Sequence, residues 1–254
     1  MAPDDHYPVK ATKTSFELLE VLTVDGPLGV TALASKTDVS KGTVYNHLST
    51  LRMLGYVKKT GDTYDVTFRT LAMGERMRER TTLYKTARPY LNNLTKTAGE
   101  YTGLYIEEEG RGIRISHAVE SDHWSPPMVD GERIELHATA AGKAILSLMP
   151  DDRIDTIIER RGLEAFTEET ITTREALYQQ LRKIRDDGVA FSRSERFNTI
   201  NAVAAPIRGN ETVQYGAISV AGSAEVLKGR HFAEDVTGQV LSTAKRIEIE
   251  VQSS

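Results

Sequence analysis

Residues 137–144, His-Ala-Thr-Ala-Ala-Gly-Lys-Ala, have the composition of a helix N-terminus that attracts an anion. Thr139 can cap such a helix, and the small residues after it leave the first backbone N–H groups uncovered. The segment is not a Walker loop, because that motif requires Gly in place of His137 and Ser or Thr in place of Ala144. We exclude a nucleotide-hydrolysing site. Two interpretations stay open: anion binding, or small residues that merely let a helix pack closely on a sheet.

Nucleophiles and metal ligands are sparse. The chain has no cysteine, which excludes a disulfide framework, a thiolate zinc site and a cysteine nucleophile. It has no Gly-x-Ser-x-Gly motif of a hydrolase. A suggestive set of polar residues lacks the His-Glu-x-x-His spacing of a zinc enzyme; it comprises His117, Glu120, Asp122, His123 and His137. We expect no metal, no other cofactor and no catalytic residue.

Another candidate site is a helix over residues 41–51, which Ser40 can cap. Val44, Leu48 and Leu51 share one face of it. The opposite face is polar and uncharged at its centre, where a merely solvated helix more often carries Glu, Lys and Arg. Side chains of this kind suit the base edges of a DNA major groove. We expect DNA contacts from Ser40, Lys41, Gly42, Thr43, Tyr45, Asn46 and His47.

A hairpin is predicted next, because the strand-like runs 54–60 and 63–67 meet at Gly61-Asp62. It carries Lys58 and Lys59, which we expect to lie beside DNA phosphates and to position the protein without reading sequence. The basic charge taken alone is also compatible with an ordinary solvated surface patch.

The elements that must position this surface are short helices. An apolar repeat at residues 16–22 predicts a first helix that ends at Gly26-Pro27, and Thr31 is expected to cap a second helix through Ala34. Two short helices around a tight turn, followed by the hairpin, form a winged helix-turn-helix.

Residues 68–81 predict a connecting helix with apolar Leu71, Met73 and Met77 among charged residues. A single helix-turn-helix reads only a half-site, so we expect this helix to pair with a second subunit. Packing on its own C-terminal domain stays open as the alternative. Pro89 is expected to begin a further helix.

The rest of the chain alternates strand-like runs with capped helices, which predicts an α+β or α/β domain. The runs cover residues 102–106, 113–119, 202–207 and 214–220. Thr172 and Glu175 are expected to form a capping box for a helix that ends at Gly188.

Length and composition fit two domains with modest cores, at 254 residues and 39% hydrophobic content. The net charge is −4, yet the first ninety residues are slightly basic and the remainder is acidic. No stretch is apolar enough to span a membrane, and the N-terminus has no signal-peptide pattern. We expect a cytoplasmic protein without membrane contact.

Several motifs occur in the same order as in the IclR family of transcription regulators, which the chain resembles over nearly its whole length. In the N-terminal part they are Leu33-Ala34, residues 40–45, Leu51, Gly55-Tyr56-Val57 and Tyr64. In the C-terminal part they are residues 139–144, Gly188-Val189-Ala190 with Glu195, residues 204–207 and residues 217–222. Asn46 departs from the family, which commonly has Arg there, so the resemblance does not supply the operator sequence.

The resemblance implies an α+β protein with a winged helix-turn-helix at residues 8–67, a linker and dimerisation helix at 68–85, and an effector-binding domain at 86–254. That last domain is expected to be a GAF/PAS-like α/β structure with a curved, mostly antiparallel sheet. The resemblance also implies a homodimer, or a dimer of such dimers.

The family's effector pocket implies a set of ligand contacts in this chain: His123, Trp124, Pro126, Ile134, Ala140, Ala141, Ser192, Ile200, Ala202, Ser219 and Ala221. Relatives that bind small oxo-acids typically have Asp, Cys and Ser at the positions of Ser192, Ala202 and Ala221. Loss of these polar anchors favours a larger or less polar organic effector, such as a carboxylate or a sugar derivative, over glyoxylate.

The sequence therefore predicts a sequence-specific regulator that binds double-stranded DNA and responds to a small organic effector. One alternative is a small-molecule-processing enzyme or carrier domain fused to a winged-helix head, although turnover would need an acid, base or nucleophile beside residues 140–143. The other is a winged-helix protein that binds another protein.

Overall fold

The computed structural model describes residues 7–120, 128–209 and 215–253. The chain forms two compact units, and the division between them falls between Met77 and Arg78. Of the helices within these ranges, none combines the length and the apolar character that crossing a membrane requires.

The N-terminal unit is a helical head with a small antiparallel sheet. Its helices are α1 (Lys10–Asp25), α2 (Val30–Thr37), α3 (Lys41–Met53) and α4 (Arg69–Arg78), the last of which reaches the division. Its strands are β1 (Leu28–Gly29), β2 (Val57–Thr60) and β3 (Thr63–Val66), in the order β1-β3-β2. The hairpin of β2 and β3 turns at Gly61-Asp62, as the sequence predicts.

The core of the head explains why α3 has one free face. The predicted stripe of α3 is buried together with residues of α1, α2 and the hairpin: Leu18, Leu22, Leu33, Val44, Leu48, Leu51, Val57 and Tyr64. Ser40 caps α3 as predicted, since its Oγ accepts a hydrogen bond of 3.2 Å from the Thr43 N–H. The cap and the stripe together fix which side of α3 faces solvent.

Two predicted boundaries in the head are wrong. Helix α2 starts at Val30 and not after a Thr31 cap, because Gly29 pairs with Thr63 at the end of β1 and stands at the N-cap in an extended conformation. The strand predicted from residue 54 starts at Val57. Gly55, whose φ is +80°, donates its N–H to the Arg52 carbonyl and ends α3 first.

The C-terminal unit contains a six-stranded sheet. Its strands are β4 (Tyr101–Glu108), β5 (Arg111–Ala118), β6 (Arg133–Ile134), β7 (Ala190–Arg193), β8 (Ile200–Arg208) and β9 (Tyr215–Ser223), in the order β6-β5-β4-β9-β8-β7. All neighbouring pairs are antiparallel. The predicted α+β class and the mostly antiparallel sheet are confirmed.

Helices cover both faces of this sheet. They are α5 (Thr82–Ala98), α6 (Ala140–Ser147), α7 (Asp151–Arg161), α8 (Arg174–Asp187) and α9 (Thr237–Gln252), with a π-helical segment, His231–Val236, before α9. One face carries a core shared with α5 and α9, and the opposite face carries a second core shared with α6 and α8. The cores alternate along each strand because successive side chains point to opposite faces.

Two predicted helix starts in this unit are wrong. Pro89 does not begin a helix but lies inside α5, whose buried stripe runs from Leu83 to Ala98. Burial of that stripe outweighs the cost of one proline, about 3 kcal/mol. The cap of α8 is Thr173, whose Oγ accepts from the Ala176 N–H at 3.3 Å, so the predicted Thr172–Glu175 capping box does not form.

Helix α6 packs against the chain that precedes it with almost no space between. A Cβ added at Gly142 would overlap the backbone of Leu136. Residues Ala140, Ala141 and Ala144 are buried beside it. Small residues therefore do allow tight packing here, which is one of the two interpretations of residues 137–144.

This contact gives a direct test. Gly142→Ala is expected to lower the free energy of unfolding by about 3 kcal/mol, because the clash is with backbone that cannot rotate away. The matched control is Gly238→Ala in α9, where nothing lies within 4 Å of the added Cβ. It is expected to be neutral or to stabilise by up to about 1 kcal/mol. Urea unfolding of both variants measures the difference, and equal effects would contradict this packing.

Candidate functional site

The outer face of α3 is free, as the sequence predicts. Six of the seven residues expected to contact DNA there are exposed: Ser40, Lys41, Gly42, Thr43, Tyr45 and Asn46. The Tyr45 side chain is 54% exposed, which is unusual for an aromatic residue and leaves its hydroxyl available. Their contacts with DNA stay a prediction.

His47 has a different environment from the other six. It is half-buried, and its Nδ1 lies 2.8 Å from the Ser15 Oγ on α1. This hydrogen bond ties α3 to α1. The geometry suits a residue that orients α3 better than one that reads a base.

The hairpin presents its two lysines on opposite faces, since they are consecutive in β2. Lys58 Nζ lies 3.2 Å from Asp65 Oδ2 in the neighbouring strand. Lys59 Nζ lies 5.5 Å from the centre of the Tyr64 ring. Both side chains are exposed, and the charge of Lys58 is partly neutralised by Asp65.

Helix α4 buries none of its residues within this chain. Apolar side chains along it and just before it are exposed: Phe68, Leu71, Met73 and Met77. The Tyr56 hydroxyl donates to the sulfur of Met73, and the Arg69 guanidinium lies over the Tyr56 ring. Apolar side chains of α4 therefore lie at the surface of the described chain.

A cavity of about 300 Å³ lies between the N-terminus of α6 and the sheet. Eight of the predicted ligand residues line it: Ile134, Ala140, Ala141, Ser192, Ile200, Ala202, Ser219 and Ala221. The other three, His123, Trp124 and Pro126, lie outside the described residues. The structure brings these eight together, and their binding role stays a prediction.

The floor of the cavity follows from strand register. Ser192 pairs with Ala202, and Ala202 pairs with Ala221, so the three side chains form a row across β7, β8 and β9. Ser219 lies two residues before Ala221 and therefore on the same face. The four floor residues are thus two alanines and two buried serines.

Sequence reasoning missed several residues that also line the cavity: Tyr105, Met128, Glu132, Arg133, Glu135, Thr139, Arg196 and Phe197. Gly103 could have pointed to Tyr105, because a glycine inside a strand often marks a position that another group approaches closely. A Cβ at Gly103 would lie 2.6 Å from the Tyr105 ring, so the hydroxyl end of this ring lies over the glycine.

The N-terminus of α6 opens into the cavity. Thr139 caps the helix by accepting a hydrogen bond of 3.1 Å from the Gly142 N–H. Helix geometry leaves the N–H groups of Ala140 and Ala141 without an intrahelical acceptor, and both residues line the cavity. Such a terminus favours a carboxylate or another anion.

A buried ion pair fixes the other side of α6. Lys143, 1% exposed, donates to both carboxylate oxygens of Glu195 at 2.6 and 2.5 Å. Burial raises the pKa of Glu195 and lowers the pKa of Lys143, and the attraction between the two charges opposes both changes. The pair connects α6 to the segment after β7.

Hydrogen bonds to its backbone carbonyl also hold Glu195 in place. Its carbonyl accepts hydrogen bonds from the hydroxyls of Thr170, at 2.6 Å, and of Thr167, at 3.2 Å. The next residue, Arg196, lines the cavity. Its guanidinium carbon is 3.9 Å from the centre of the Phe166 ring, and its Nε donates to Glu135 at 3.1 Å. The ion pair therefore connects α6 to the residue next to Arg196.

The histidines considered as metal ligands have other partners. His117 Nδ1 lies 2.8 Å from Asp130 Oδ1, and His137 Nε2 lies 2.9 Å from the Glu164 carbonyl. Asp122 and His123 lie outside the described residues. Within the described ranges, no three His, Asp or Glu side chains are placed to hold a metal ion.

Comparison with known proteins assigns the family. Residues 76–249 match the family described as "Bacterial transcriptional regulator IclR C-terminal", and residues 15–61 match the "IclR helix-turn-helix domain". The chain belongs to the IclR family. It is similar to the HTH-type transcriptional regulator KdgR of Escherichia coli, with 28% identity over 209 residues, or 81% of this chain and 79% of KdgR.

Solved IclR-family structures share the fold. Thermotoga maritima IclR matches with a TM-score of 0.81 and 25% identity over 95% of this chain and 98% of its own. An IclR homologue from Microbacterium hydrocarbonoxydans, crystallised with 4-hydroxybenzoate, matches with a TM-score of 0.80 and 18% identity over 96% of this chain and 100% of its own. As an IclR-family member, the protein is a DNA-binding transcription regulator, and the relatives do not favour the enzyme or carrier alternative.

The ion pair gives a second test. Lys143→Met is expected to lower the free energy of unfolding by about 3–5 kcal/mol, because it leaves the Glu195 carboxylate buried without its partner. Adding Glu195→Leu should recover much of that loss. The control is Lys228→Met, which breaks an exposed ion pair with Glu225 and should leave the urea midpoint unchanged. If Lys143→Met alone were as stable as the wild type, the buried ion pair would be contradicted.

Proposed function

We propose that this IclR-family regulator reads its operator through the outer face of α3. The observation that carries the proposal is a helix whose apolar face is locked in the core while its polar, uncharged face is exposed. Asn46 and Tyr45 are suited to base edges. Lys41, near the start of α3, and Ser40 and Thr43 are suited to the backbone, with Gly42 allowing close approach.

In this proposal the hairpin positions the head. Lys58 and Lys59 neutralise different phosphates, since they point to opposite faces of β2. His47 orients α3 through Ser15 and makes no base contact. Because its target is chromosomal DNA, we expect the protein to act in the cytoplasm.

Two copies of the chain are proposed to bind together, as a homodimer or a dimer of dimers. One head covers a half-site, and paired heads reach successive major grooves about 34 Å apart. The exposure of the apolar side chains Phe68 and Leu71, just before and on α4, supports the pairing. The predicted linker at residues 68–85 contains α4 and the start of α5.

The cavity under α6 is proposed to hold a small organic effector. A cavity of about 300 Å³ whose floor combines two alanines with two serines suits a compact organic acid, with its carboxylate at the N-terminus of α6. The relative crystallised with 4-hydroxybenzoate supports a ligand of this kind. The loss of polar anchors at Ser192, Ala202 and Ala221 argues against glyoxylate.

Effector and operator are proposed to be linked through the dimer. A ligand that favours one arrangement of the two heads changes how well both α3 helices reach their grooves. Linkage then requires that operator DNA change the affinity for the effector by the same factor.

Substitutions in the head test the division between reading and positioning. Asn46→Ala is expected to weaken binding to the operator by about 1–3 kcal/mol and to leave binding to random duplex almost unchanged. Lys59→Ala is expected to weaken binding to both and to reduce the salt slope by about one. Fluorescence anisotropy against operator and random DNA over a range of salt concentrations measures these effects.

The control for this experiment is Lys228→Ala, which removes an exposed lysine from the C-terminal unit. It should change neither affinity. If Asn46→Ala and Lys59→Ala had identical effects on operator and random DNA, the proposed roles of α3 and the hairpin would be wrong.

A further inference from the structure

A buried polar cluster lies beside the cavity on the face of the sheet that lines it. Arg114 of β5 is fully buried, and Tyr101 of β4 is 1% exposed. Tyr101 pairs with Ala221, and Tyr105 pairs with Arg114, so the cluster adjoins the cavity floor directly. The predicted ligand set contains none of these three residues.

The Asp130 carboxylate, which pairs with Arg114, also contacts two other side chains. Arg114 Nε donates to Asp130 Oδ1 at 3.0 Å, but the same carboxylate also accepts from Arg78 at 3.2 Å and contacts His117 at 2.8 Å. Arg114 Nη2 donates to the carbonyl of Met128, which lines the cavity. The Asp130 carboxylate therefore contacts two guanidinium groups, of which that of Arg114 has no solvent contact.

Two buried atoms of the cluster lack hydrogen-bond partners among the described residues. They are the Arg114 Nη1 and the Tyr101 Oη. A buried donor without a partner is costly, and more so when it carries charge. Both atoms belong to groups that can donate, so this corner is short of acceptors.

Tyr105 connects the cluster to the cavity. Burial raises the pKa of its phenol, so the hydroxyl stays protonated and can donate. Arg114 and Ser219 are close enough to oppose that rise. A guanidinium group only donates, so a Tyr105 oxygen that faces Arg114 must direct its own proton elsewhere. Tyr105 and Ser219 both line the cavity.

We propose that Tyr105, Ser219 and the Arg114 charge behind them form a second polar end of the effector cavity, specific for an anionic acceptor. This inference rests on the proposed function, in which the first end is the N-terminus of α6. The effector is then a two-ended acid: one carboxylate lies at Ala140 and Ala141, and a second carboxylate lies at Tyr105.

Matched pairs of linear acids test this specificity in the full-length protein. Succinate, glutarate and adipate are compared by calorimetry with butyrate, valerate and hexanoate, which have the same chain lengths but one carboxylate each. The best dicarboxylate is expected to bind at least about tenfold more tightly than its monocarboxylate partner, because charge-assisted hydrogen bonds form at the second end.

The variant Tyr105→Phe removes one hydroxyl and keeps the ring over Gly103. The ratio of the two affinities is expected to fall towards one. The matched control is Tyr178→Phe on α8, whose hydroxyl donates to Asp155 at 2.7 Å away from the cavity lining. It should preserve the wild-type ratio.

The outcomes separate this inference from the proposed function. Equal affinities within each pair in the wild type, or an unchanged ratio in Tyr105→Phe, would overturn the second polar end while leaving a one-ended effector possible. If none of the six acids binds, the two-ended acid is overturned, whereas operator binding measured separately still tests the regulator. A ratio that collapses in Tyr105→Phe and persists in Tyr178→Phe supports the inference.

Discussion

The close packing of α6 on the chain before it is the constraint on which the effector domain depends. Gly142 lies against the Leu136 backbone, and the Lys143–Glu195 ion pair holds the helix from its other side. Together they fix where the free N–H groups of Ala140 and Ala141 point. A displacement of α6 would change the cavity, because residues at the N-terminus of this helix form part of its lining. The two interpretations of residues 137–144 are therefore compatible, because the tight packing is what aims the helix terminus at the cavity.

In the DNA-binding head, too, the packing of one helix determines which surface stays accessible. A stripe of three apolar residues locks one face of α3 into the core, and this leaves the other face available to a partner. The head achieves this with a small core and a local cap at Ser40. The effector domain instead relies on a sheet whose register brings distant residues into one row. In each unit, the contacts that bury one part of a helix leave another part of that helix accessible.

Local signals made the head largely predictable, whereas long-range contacts limited the prediction of the cavity. The Ser40 cap and the α3 stripe depend on residues within a few turns of each other, and both occur as predicted. The helix starts predicted from Thr31 and Pro89 were wrong, because strand pairing at Gly29 and burial along α5 outweigh local preferences. Family resemblance supplied eight of the sixteen cavity residues, and the other eight were missed. Arg114 and Tyr101 were not predicted, because only the folded sheet shows that they lie beside one another and that one polar atom of each lacks a hydrogen-bond partner among the described residues.

We propose that occupation of the cavity under α6 is linked to DNA binding by the head. The most direct measurement is calorimetric titration of the full-length protein with the tightest-binding acid, once free and once saturated with operator duplex. Linkage between the two sites predicts dissociation constants that differ by about fivefold or more. Identical dissociation constants with and without the duplex would contradict it.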